Sequence, residues 1–219
     1  MENGCQYERV PQAAAEEILG RLLEFRDRYD SYTKPDDVNA LLSFFPHVRL
    51  QEGYVLDYEI VSAGHAVQHI APYARSADGE DLLLLDDPGA EGGGEDLYGR
   101  LSYEQTPLGL FEYAFFITEL MSTRGSWHAT EWLASTPVFT EERFEAVLEK
   151  AGSHESLARP DWFGPLARLE DEGGEVRFLV YTEMGWERIY YLSITVARDG
   201  TTHPEAGAIV ADLGQGLVF

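Results

Sequence analysis

Two stretches late in the chain, Glu175 to Glu183 and Glu187 to Ala197, alternate with a period of two about a turn at Met184, Gly185 and Trp186. Period two sends successive side chains to opposite faces of a sheet, and so short a turn returns the chain antiparallel. Asp199-Gly200 is a tight-hairpin signal that leads into a further strand near 206–213. The C-terminal part therefore reads as an antiparallel meander.

Upstream, residues 54–61 and 66–75 are rich in β-branched and aromatic side chains around Ser62-Ala63-Gly64 and read as a hairpin. Pro72 places its second strand at an edge or ends it early, because proline cannot donate to a ladder. Leu82 to Leu85 reads as a short third strand.

Four segments carry a helical period instead. In 12–32, Ile18, Leu22, Phe25 and Tyr29 make one apolar stripe. A second helix starts at Pro35, with Val38, Leu41, Leu42 and Phe45 as its stripe, and stops at Pro46. Thr106-Pro107 opens a third that is apolar nearly all round up to Met121, which predicts a central position. The fourth has Thr140 as N-cap, a hydrophobic staple of Phe139 and Phe144, and Gly152 near its end.

Nothing alternates strand and helix as a parallel sheet requires, so the expected fold is α+β. About four helices pack on one face of an antiparallel sheet made of the hairpin and the meander. With 44% apolar residues and no convincing linker, 1–219 reads as one domain. Residues 78–96 hold eight acids and no Lys or Arg, and their glycine-rich end predicts a flexible acidic loop near 86–96.

Charge narrows the partners. Thirty-nine acidic residues against sixteen basic ones give a formal charge of −23, which disfavours nucleic acid and anionic membrane and favours cations or basic proteins. Cys5 is the only cysteine, there is no secretory leader pattern, and no apolar run approaches the roughly 18 residues of a membrane span. A cytoplasmic protein is expected. Fourteen arginines against two lysines match the usage of a high-GC bacterial genome.

No phosphate-binding loop, zinc-protease motif or nucleophile elbow is present, so neither a cofactor nor a catalytic residue is assigned. Metal chemistry has one candidate set: His65 or His69 with His128 and Glu131, the last two spaced i, i+3. His65 and His69 on one strand stand about 13 Å apart, too far to share an ion. A second candidate is an aromatic and acidic interaction face around the 183–187 turn: Tyr181, Glu183, Trp186, Glu187 and Tyr190. Tyrosine and tryptophan are the residue types that anchor interfaces.

Three functions fit this reading. The first is a non-enzymatic cytosolic binding protein whose acidic surface engages a basic protein partner, such as an immunity protein that neutralises a nuclease-like toxin. The second is a metal-dependent hydrolase built on the His/Glu set. The third is a small-ligand-binding domain with an aromatic pocket.

Overall fold

The structure is a computed structural model that describes residues 6–27, 38–63, 67–78, 93–122, 135–151, 155–156, 158–171, 173–183 and 185–216. Leu82 to Leu85, Tyr29, Pro35 and Gly152 lie outside them. In chain order the first elements are β1 (Glu8–Arg9), α1 (Gln12–Asp27), α2 (Val38–Leu42), β2 (Val48–Leu50), β3 (Tyr54–Ala63) and β4 (Val67–Ser76). There follow α3 (Gly93–Arg100), β5 (Leu101–Tyr103), α4 (Pro107–Ser122), β6 (Ser135–Val138) and α5 (Glu141–Ala151). The last are β7 (Glu155–Ser156), β8 (Leu166–Glu170), β9 (Gly173–Thr182), β10 (Trp186–Val196) and β11 (Thr202–Gln215).

The fold is α+β. Strands β8 to β11 form the expected meander inside a seven-stranded sheet of order β1-β8-β9-β10-β11-β7, with β6 beside β9. Between β10 and β11 the Ala197 N–H donates to the Thr201 carbonyl (2.9 Å), and Gly200 takes a φ of 86°. Glycine adopts that left-handed conformation without steric cost. The β3–β4 hairpin also forms, yet it makes a two-stranded ribbon of its own. The Asn39 side chain ties it to α2, accepting from the Leu56 N–H (2.8 Å) and donating to its carbonyl (3.1 Å).

Both faces of the main sheet are covered by helices, where the sequence suggested one. Alternation along β9 sends Val176, Phe178 and Val180 to a core shared with α1 and α4, and Leu179 and Tyr181 to a second core under α5. Helix α4 is central, as its apolar circumference requires, and Leu110 to Ile117 are all buried, Glu112 among them. Its Phe111 and Phe115 meet Phe139 and Phe178 edge-on at centroid distances of 5.7–6.3 Å. The smaller core needs only the single stripe of α5, where Phe144 and Leu148 are buried.

Two local readings change. The caps hold: Thr106 Oγ1 accepts from the Gly109 N–H (3.0 Å), and Thr140 Oγ1 from the Arg143 N–H (3.2 Å). The staple does not, because Phe139 enters the first core while Phe144 stacks on Phe163 (5.3 Å) in the second. Glycine-rich Gly93–Arg100 is a helix that buries Leu97, so packing outweighs weak intrinsic propensity there.

At the sheet's outer end, Tyr7 fastens the N-terminal strand. Its ring lies under the guanidinium groups of Arg168 (5.2 Å) and Arg177 (4.9 Å), both ion-paired to Glu175. Burial, reinforced by Glu175, pushes the Tyr7 phenol up to about 12.

Candidate interaction site at the β9–β10 turn

Tyr181, near the end of β9, is only 7% exposed and held in the second core. Its hydroxyl donates to Glu187 Oε1 (2.5 Å), and Glu183 Oε1 stands 3.0 Å from the same oxygen. One phenol thus fixes two carboxylates from opposite ends of the turn. Gly185, at φ 66°, lets the chain reverse between them, and its carbonyl accepts from the Gly216 N–H (3.0 Å).

Two residues absent from the sequence reading complete the group. Lys150, in the last turn of α5, forms an ion pair with Glu183 and lies 5.8 Å from the Tyr181 ring centroid. Asp212 of β11 accepts from the Trp186 indole N–H (2.5 Å) and from the Gly214 N–H (3.1 Å). A β-bulge in the β10–β11 pairing lies between Glu187 and Arg188, where Gly214 takes a φ of 97°. Trp186 remains 54% exposed, with the N–H edge of its ring bonded.

The electrostatics follow from these neighbours. Lys150 holds the Glu183 carboxyl below its ordinary range. Burial, then the hydrogen bonds to Glu187 and Glu183, push the Tyr181 phenol far up. The phenol therefore stays protonated and Glu183 stays anionic at neutral pH. The turn carries bonded carboxylates on the α5 side of the strand and an indole on the other, and each suits a cationic side chain.

Of the five residues expected here, Tyr181, Glu183 and Glu187 meet directly, while Trp186 precedes Glu187 in β10 and turns to Asp212 on the opposite face. Tyr190 does not join them: it packs against the first core, on the other face, under the Arg188 guanidinium (5.3 Å). Tyr191 takes the second face. Of the metal set, His65, His128 and Glu131 lie outside the described residues. His69 sits in β4 opposite Val61. Among the described residues no three His, Cys, Asp or Glu side chains gather to hold a metal ion.

Another polar pair escaped the sequence reading. Glu112, 1% exposed on α4, accepts from the His47 main-chain N–H (2.7 Å) and lies 2.7 Å from its ring Nδ1. Only the proline before His47 hinted at a turn, and residues so distant in sequence leave no local trace of their meeting. Among the described residues no helix is long and apolar enough to cross a membrane. Comparison with protein-family models, with curated proteins and with solved structures finds no match.

Proposed function

We propose that this chain is a cytosolic binding protein without catalysis of its own, which engages a basic protein partner through the β9–β10 turn. The observation that carries the reading is the exposed Trp186, anchored to Asp212 at a turn that also carries Glu183 and Glu187, on a chain of net charge −23. An exposed tryptophan on a rigid support is the kind of residue around which binding energy concentrates. The surrounding charge speeds encounter with a cationic partner and selects against anionic ones.

A nuclease-like toxin is the partner class that best fits this chemistry. Such a toxin presents a basic cleft to its nucleic acid, and an acidic protein seated there blocks the cleft. The protein would then act as its immunity partner.

The general reading is tested with a fluorescein-labelled all-arginine peptide, read by anisotropy at low and at physiological salt. Binding should weaken as salt rises. Trp186→Ala should weaken it about thirtyfold, the equivalent of a hot-spot anchor of about 2 kcal/mol. Equal affinity for wild type and Trp186→Ala would remove the site from the reading. The toxin reading is tested by assaying the basic product of a neighbouring gene for DNA or RNA cleavage with and without this protein; undiminished cleavage at saturating protein would sink it.

A further inference from the structure

Arg188 follows Trp186 by two positions in β10, so alternation sets both side chains on the same face of the strand, about 7 Å apart along it. Its guanidinium lies over the Tyr190 ring, 5.3 Å from the centroid, and among the described residues it makes no hydrogen bond or ion pair. Its Nε is buried and without an acceptor. Asp212 stands opposite it in the β10–β11 register, yet Oδ1 of that carboxylate accepts from Trp186 and Gly214. Elsewhere partly buried arginines hold a carboxylate: Arg75 pairs with Asp57, Arg143 with Glu16, and Arg168 and Arg177 with Glu175.

A buried donor without an acceptor costs free energy, and a chain with thirty-nine acidic residues does not lack carboxylates to supply one. Arg188 is left unpaired and is held in place by its ring contact. A guanidinium binds a carboxylate through parallel N–H bonds, and with the Nε edge enclosed the terminal N–H groups are the ones left to do so. We propose that Arg188 receives a carboxylate side chain of the basic partner, beside the contact made by Trp186. This rests on the binding reading given above and adds a group of the opposite charge to it. The net charge of −23 decides which anion arrives: phosphate and nucleic acid are repelled, whereas an aspartate or glutamate set in a basic surface is brought in by its neighbours. One carboxylate in a fixed place also gives the contact a register, which diffuse attraction between an acidic and a basic surface does not.

Two fluorescein-labelled lysine-rich peptides of equal length, one with a central glutamate and one with glutamine there, are compared by anisotropy on wild type, Arg188→Met and Arg9→Gln. By charge alone the glutamate peptide binds the more weakly, and in wild type Arg188 should offset that loss. In Arg188→Met the ratio of the two affinities should shift about tenfold toward the glutamine peptide, the lower end of the coupling between close interfacial charges. Arg9 stacks on Trp162 (4.5 Å) in β1, at the far edge of the sheet, so Arg9→Gln removes the same charge elsewhere and should change the ratio less than about twofold. Arg188→Met should also keep a urea midpoint no lower than wild type, because it removes an unpaired buried donor and keeps the packing of a long side chain.

An equal ratio in wild type and Arg188→Met would overturn the carboxylate assignment while leaving a Trp186-dependent binding site in place. A lowered urea midpoint in Arg188→Met would make Arg188 a structural group and overturn the assignment as well. Failure of wild type to bind either peptide would overturn both this inference and the binding reading.

Discussion

At the level of single residues, Glu112 sits 1% exposed on a core helix that also buries Glu119, and a buried carboxylate costs free energy unless its oxygens are bonded. Both are engaged by His47, one by its main-chain N–H and one by its ring. The pair fixes the turn that delivers the chain into β2. His47→Ala keeps the first contact and strands the second oxygen, which should lower stability by about 1–3 kcal/mol, measured by urea unfolding. His47→Ala with Glu112→Leu removes both partners and should recover part of that loss. Wild-type stability in the single variant would show that the ring bond contributes nothing.

Edges and caps decide matters among the elements. Ala197 and Thr201 pair through a hydrogen bond, so alternation makes Thr195–His203 and Ser193–Glu205 bonded pairs and turns the backbone groups of Thr202, Pro204 and Ala206 outward. Residues 203–208 are all exposed, and on that side only 210–212 meet another segment among the described residues. Pro204 removes one outward N–H from an otherwise open edge, a usual guard against strand addition between molecules. Pro204→Val should therefore promote concentration-dependent self-association, visible by light scattering; a variant as monodisperse as wild type would discount the guard.

What was legible in the sequence follows the same division. The meander and the caps at Thr106 and Thr140 were readable because each is encoded within a few residues. Strands β1, β2, β5 and β7 are two or three residues long, too short to show a period. Helix α3 is hidden by its glycines. At the site, Tyr181, Glu183 and Glu187 are close in sequence and were found together. Tyr190 was misassigned to the face because one residue of strand reverses its direction, and Lys150 and Asp212 were missed because only tertiary register brings them in.

For the molecule as a whole, the charge of −23 is less bare than its total implies. On the helices Glu16 meets Arg143 (3.0 Å), Glu17 meets Arg21 (2.5 Å), and Glu141 and Glu145 share Arg159. Alkaline pH tests this balance. Burial raises the phenols of Tyr7, Tyr98, Tyr103, Tyr113, Tyr181 and Tyr191, Tyr7 to about 12. The unfolded chain releases these protons near pH 10, while the folded protein still holds them. Their contribution is thus complete below about pH 10 and is lost above it, over about pH 10 to 12 for Tyr7. Urea midpoints should fall between about pH 9 and about pH 11.5, and less so in Tyr7→Phe. A flat profile would contradict the burial of these hydroxyls.

The pairing of β1 with β8, and the one core that joins the apolar stripe of α1 to strands β9 and β10, have a consequence for biosynthesis. Helix α1 leaves the ribosome long before the strands it rests on, and at ordinary elongation rates the wait is on the order of ten seconds. Ile18, Leu19, Leu22 and Phe25 are without their sheet for that time. A nascent chain in that position gains from mutual repulsion between copies, so the acidity of the finished protein also serves to keep its unfinished form apart from its neighbours.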